Sequence, residues 1–278
     1  MNDVNLAYLR GNLKYHGFGE SLNAAMEQKI GEGISHFQLQ FNTTINGKSF
    51  DAVLNFRKAD KNDMYFFNSY TAKLDKGIRE NIEQTFYINK GSGMTAKEAY
   101  NLLDGRSVFK ELTNKDGIAY HAWMELDPTT KNKNGNHILK QYHTNYGFEL
   151  GKSLVALPIK ELGSDDERMK LIRSLEKGNL QAVSLERNGK DERVFVEANP
   201  KFKTLNVYDS EMKRMKKNVE SREVKISFKQ QKNGMDKEGE IKTAKKKSSK
   251  RVSAKSDDNE QTSLLPKKQM NKKKGLAP

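Results

Sequence analysis

Asn179-Leu-Gln-Ala-Val-Ser-Leu-Glu-Arg-Asn-Gly-Lys-Asp-Glu-Arg-Val-Phe-Val-Glu-Ala-Asn-Pro-Lys-Phe-Lys-Thr-Leu-Asn-Val-Tyr-Asp209 decides the class of fold. Val183 and Leu185 alternate with Ser184 and Glu186, and Val194 and Val196 with Phe195 and Glu197. Asn188-Gly189 between the two runs tolerates the positive φ angles of a type I′ turn, so the stretch reads as a β-hairpin. Pro200 has no amide to give a ladder and stops the second strand. Phe202, Leu205, Val207 and Tyr208 are expected to return to the sheet as a third strand. Beyond Asp209 the chain changes character, and the change is one of charge.

Residues 211–278 hold 21 of the 50 Lys and Arg and 9 of the 36 Asp and Glu. They therefore carry +12 of the net +14, and residues 1–210 carry only +2. Lys245, Lys246, Lys247, Lys250, Arg251, Lys272, Lys273 and Lys274 form its densest clusters. Such a composition cannot bury enough apolar area to offset ordering entropy, which predicts a disordered basic tail. Spaced lysines on a loose chain attract phosphates with little reading of sequence, so the tail is expected to bind DNA or RNA weakly. The plainer alternative is a tail that only solubilises. In a eukaryote, Lys245 to Arg251 would also suggest nuclear import.

Working back from the hairpin, the sequence predicts an α+β body of short helices and antiparallel strands in two halves, residues 1–92 and 93–210. Asp3 and Ser21 are expected to cap two opening helices, with Leu6, Leu9 and Leu13, then Leu22, Ala25, Met26 and Ile30, at helical spacing. The period then becomes two. Phe37, Leu39, Phe41 and Ile45 alternate before Asn46-Gly47, and Phe50, Ala52, Leu54 and Phe56 after it. Met64 to Phe67 and Thr85 to Asn89 read as two further strands. Gly91-Ser92-Gly93 reads as a hinge, and Thr95 to Glu98 as a capping box opening a helix that ends at Gly105. Ser107 to Leu112 and Ile118 to Leu126 make a second hairpin. Residues 127–137 read as a polar loop, and Lys140 to Phe148 as a short strand or irregular segment. Ser164 to Glu167 is a second candidate capping box, its helix presenting Met169, Ile172 and Leu175. A frayed helix through Met212 and Met215 is expected, and Val224, Ile226 and Phe228 form a last apolar alternation.

Several chemistries are disfavoured. There are no cysteines, which excludes disulfides and thiolate chemistry. The N-terminus lacks a basic run followed by an apolar one, and no stretch approaches 18 apolar residues. No signal peptide or membrane contact is expected, and a cytoplasmic setting is. Gly91-Ser92-Gly93 lacks the lysine and spacing of a P-loop. His121, His137 and His143 show no paired ligand spacing, so no metal and no cofactor are expected. No nucleophile-elbow, kinase or dinucleotide fingerprint is present, and no catalytic residue is assigned. One constellation remains. Lys140, Tyr142, His143 and Tyr146 set aromatic and polar groups close together, as a surface for stacked bases or a partner peptide, or as a segment packed on the core.

Met94-Thr-Ala-Lys-Glu-Ala-Tyr-Asn-Leu-Leu-Asp-Gly-Arg106, Lys140-Gln-Tyr-His-Thr-Asn-Tyr-Gly-Phe148 and Glu197 to Asp209 carry a resemblance. So do Asp63 to Asn68 and Gln84 to Gly91. Over about residues 4–215 the chain resembles a family of uncharacterised bacterial proteins associated with conjugative and other mobile elements. The resemblance implies a bacterial cytoplasm and neighbouring DNA-transfer genes, and it carries over no established activity or catalytic residue. The expectation is a non-enzymatic accessory protein whose body meets an unidentified protein partner and whose tail holds nucleic acid. The alternatives are a pure protein-interaction module or an enzyme acting on nucleic acid.

Overall fold

The structure, a computed structural model, describes residues 2–77, 81–89, 93–187 and 189–215. The lysine clusters, Val224 to Phe228, Gly91, Ser92 and Asn188 lie outside the described residues. The architecture is α+β, as the alternation of periods predicts.

Helices α1 (Asp3–Tyr15) and α2 (Asn23–Gly31) open the chain. Asn2, not Asp3, caps α1: its Oδ1 accepts from the Asn5 amide at 3.0 Å. The start of α2 has no side-chain cap, so Ser21 does not serve as one. Strands β1 (His36–Ile45), β2 (Lys48–Lys58), β3 (Tyr65–Leu74) and β4 (Ile82–Tyr87) form an antiparallel sheet in sequence order. Ile45 pairs with Lys48 across Asn46 and Gly47, which take φ of 51° and 75°. Both are left-handed, as a type I′ turn requires. β3 runs well past the expected Phe67, because Tyr70, Ala72 and Leu74 continue the inward alternation.

Helix α3 (Ala96–Leu103) begins at the predicted capping box. Thr95 and Glu98 satisfy each other's amides at 2.9 and 3.3 Å. The preceding Gly93 is packed: a Cβ there would sit 2.8 Å from the Tyr87 carbonyl oxygen, so only glycine fits against β4. Strands β5 (Val108–Thr113), β6 (Ala119–Lys131) and β7 (His137–His143) then form a meander. Residues 127–131 are strand rather than loop. The register slips between Asp127 and Lys131, around Pro128, which has no amide to pair. The true turn is 132–136, where Asn132 Oδ1 accepts from the amides of Asn134 and Asn136 at 2.9 and 3.1 Å.

Helices α4 (Leu150–Val155) and α5 (Asp165–Glu176) lead into a last meander of β8 (Gln181–Arg187), β9 (Lys190–Asn199) and β10 (Thr204–Tyr208). Ser164 makes no capping bond. Asp165, Asp166 and Glu167 in the first turn instead oppose the positive end of the helix dipole. α5 buries Leu171 and Leu175 and leaves Met169 44% exposed, one register off the predicted face. No helix forms at Met212. The chain turns there, with Met212 at φ 63°, and the Met215 amide donates to the Val207 carbonyl at 2.8 Å. Tyr208 and Arg214 also form an antiparallel bridge, so residues 209–215 are tied back to β10.

Apolar packing does not divide at residue 92. The first core takes α1, α2, the inner face of β1–β4 and also α3, with Val108, Met124 and Leu126. The second takes Trp123, Phe148, Leu154, Leu175, Val183, Val194 and Val207. Phe109, Trp123 and Tyr142 form one cross-strand row, and Val108 and Met124 lie on the other face. The β5–β7 sheet is thus apolar on both faces and serves two cores, and all described residues fall in one compact unit. The joint is polar where α3 and α5 end. Asn101 Nδ2 donates to the Lys177 carbonyl at 2.6 Å, and Arg106 Nε to that of Gly178 at 2.9 Å.

His16 follows α1, wholly buried, its Nδ1 2.8 Å from the Asn12 carbonyl and its Nε2 without a partner. Burial lowers its pKa, with Lys110 acting the same way and the Asn12 carbonyl and Glu98 opposing. The fold therefore accepts the neutral ring. His16 should cost no stability above the unfolded value of 6.5, and stability should fall as pH drops from there toward the lowered folded value. Urea midpoints between pH 5 and 8 test this. The slope over that window should flatten in His16→Gln.

Candidate nucleic-acid interface

The four residues singled out after the polar loop do not converge. Strand alternation puts His143 on the face opposite Tyr142, where its ring lies 5.3 Å from Tyr120. Lys140 Nζ is 2.7 Å from Asp127 Oδ2. This contact raises the Lys140 pKa and, with hydrogen bonds from Thr129, holds Asp127 well below the usual carboxylate range. Lys140 is therefore already paired. Tyr142 is half-buried against the second core. Its phenol is pushed up to about 12, first by burial and then by Glu125.

Tyr146 does come back to Tyr142. Residues 144–146 make a 3-10 turn closed by Gly147 at φ 86°, and the two rings stand 5.0 Å apart at 53°. Tyr146 Oη donates to the Lys201 carbonyl at 2.9 Å. That bond brings in three residues the sequence reading did not select. Lys203 Nζ sits 4.6 Å from the centre of the Tyr146 ring, and Lys201 Nζ 5.4 Å from that of Phe202. Phe202 was expected on the returning strand. Instead the chain makes a 3-10 turn at Pro200–Phe202, pinned by Asn199 Oδ1 on the Phe202 amide at 3.4 Å, and leaves Phe202 64% exposed. Lys203 ends the turn in the left-handed region at φ 52°. The signal for this arrangement is Pro200-Lys-Phe-Lys203, an aromatic between two lysines directly after a strand stop.

The result is a surface with two exposed rings, Tyr146 and Phe202, and two ammonium groups over them. Neither Lys201 nor Lys203 is in an ion pair among the described residues. Flat aromatic faces with unpaired cations can stack bases and meet phosphates. They do not supply an acid, a base or a nucleophile poised for bond breaking.

The histidines offer no second site. His121 is exposed; it stacks on Phe109 at 5.5 Å and lies 3.4 Å from Glu111. His137 is buried, with its amide donating to Gln84 Oε1 at 2.8 Å. No group of three or more His, Asp or Glu that could hold a metal gathers among the described residues. Among them, too, no helix is long and apolar enough to cross a membrane. No protein-family model, curated protein or solved structure matches this chain.

Proposed function

We propose that the protein is a non-enzymatic nucleic-acid-binding accessory protein, consistent with the mobile-element resemblance, in which body and tail divide the work. The tail lysines 245–247, 250, 272–274 and Arg251 supply sequence-independent attraction to phosphate. The body supplies a small single-strand platform. The observation that carries this is the pair of unpaired lysines, Lys201 and Lys203, stacked over exposed Phe202 and Tyr146. With the body at only +2, such a patch favours unstacked bases over duplex.

Phe202 is the cleanest probe, because it is exposed where Tyr142 is part of the second core. Phe202→Ala should weaken binding of a short single-stranded oligonucleotide about 5- to 100-fold, the worth of one stacked base. Duplex affinity and the salt slope should stay as in the wild type. Fluorescence anisotropy with matched single- and double-stranded probes reads both. Equal single-strand affinity in Phe202→Ala and Tyr146→Ala would leave the body without a role in binding.

A further inference from the structure

A second, chemically different groove lies between α1 and the start of β3, with a volume of about 590 Å³, within the range of small-molecule sites. α1 has two apolar faces. Leu6, Leu9 and Leu13 turn into the core, while Val4 and Tyr8 stay 81% and 44% exposed. Both line the groove, with Met64, Phe67 and the 41%-exposed Phe66 opposite.

No charged side chain lines it; its polar groups are the Tyr8 hydroxyl and asparagine amides. Among those without a hydrogen-bond partner, the Tyr8 hydroxyl and the Asn68 carboxamide belong to exposed residues, and Asn12 to a buried one. Asn12 is only 8% exposed, and its carboxamide makes no hydrogen bond among the described residues. Its backbone is fixed, since its carbonyl accepts from the amide and Nδ1 of His16 at 2.9 and 2.8 Å. Asn5 shows the contrast: its carboxamide accepts from the Tyr65 amide at 2.7 Å and donates to the Tyr65 carbonyl at 2.9 Å. The Asn12 amide atoms are not sealed from solvent as the unpartnered Tyr65 hydroxyl is, so the carboxamide of this largely buried residue opens on the groove.

The lining chooses the ligand. Without a cation or carboxylate it has nothing to hold a phosphate, an ammonium or an acid, so the part that enters is neutral. Tyr8 and Phe66 offer aromatic surface to a flat body. A carboxamide presents a donor and an acceptor side by side, and its complement is an edge presenting an acceptor and a donor. We propose that this groove binds a nucleobase, held by the Asn12 carboxamide along its edge and by Tyr8 and Phe66 on its faces. The base can belong to a free nucleoside or to an unpaired nucleotide in a strand. The site shares no residue with the Tyr146–Phe202 surface and does not rest on it.

The test uses the full-length protein with adenosine, guanosine, cytidine and uridine as separate probes, followed by saturation-transfer NMR. At least one nucleoside should bind at millimolar concentration or below, with no salt dependence. Asn12→Leu keeps the volume and removes the amide, and should weaken that binding about tenfold or more, as losing a paired hydrogen-bonding edge does. Phe66→Ser should weaken it too, and Phe202→Ala should not. Competition by an oligonucleotide containing the same base identifies a strand as the source; its absence identifies the free nucleoside. No binding by any nucleoside overturns the proposal, as does undiminished binding in a folded Asn12→Leu. A solution dimer that Tyr8→Ser dissociates also overturns it, because a second copy would then fill the groove.

Discussion

Arg106→Ala should cost about 3–5 kcal/mol of stability, the range for leaving a buried charge network without one partner. Arg106 is 9% exposed and uses its whole fork. It donates to the Gly178 carbonyl at 2.9 Å, to Asn101 Oδ1 at 2.7 Å and to the Asp104 carboxylate. Its guanidinium also lies 5.3 Å from the centre of the Tyr100 ring. Removal would orphan two acceptors and leave Asp104 with Lys48 at 2.5 Å as its remaining ion-pair partner. Lysine cannot restore three directed bonds, so Arg106→Lys should recover only part of the loss. Arg106 joins the end of α3, which belongs to the first core, to the end of α5, which belongs to the second. Its loss should therefore also loosen the coupling between them. Guanidinium unfolding followed by tryptophan fluorescence and by circular dichroism checks both points, since Trp123 packs in the second core. Coincident transitions with a loss under about 1 kcal/mol would show that the joint contributes no more than a surface contact.

Replacing Lys245, Lys246, Lys247, Lys272, Lys273 and Lys274 with glutamine should have the largest effect on binding. If all six meet phosphates of a duplex, the slope of log affinity against log salt shrinks by about five. Across about 50 to 200 mM salt, the six contacts account for roughly a thousandfold of the wild type's loss of affinity, and the variant should lack that part of the fall. The melting midpoint of the body should not move. If wild-type protein binds neither duplex nor single strand at low salt, the nucleic-acid reading falls and the protein-interaction reading takes its place.

Local rules fixed much of the fold. Asn46-Gly47 stands between alternating runs and closes a hairpin with a two-residue connection, and beside the second Asn-Gly the strands pair up to Arg187 and Lys190. Thr95 and Glu98 form their capping box because the motif contains its own partners. The separation of a near-neutral body from a basic remainder is a matter of composition and needs no structure. All of these depend on residues within a few positions of one another, where backbone propensity and side-chain reach decide the outcome.

Tertiary packing decided the rest. Ser164 has the sequence of a cap and makes no capping bond, while α5 settles one register away from the expected face to bury Leu171. The β5–β7 sheet shows simple alternation in part of β6, yet it is buried on both sides, because a second core closes over Trp123. The binding surface was half visible. Tyr142 and Tyr146 are neighbours in sequence, but Lys201, Phe202 and Lys203 reach them only because β9 and β10 turn back through Pro200. Asn12 looks like any polar residue of a helix, and only the placement of β3 beside α1 puts it in the wall of a groove. A local pattern can specify a turn or a cap. Which groups meet across 55 residues, as the Tyr146 hydroxyl and the Lys201 carbonyl do, is set by the burial of two cores against one shared sheet.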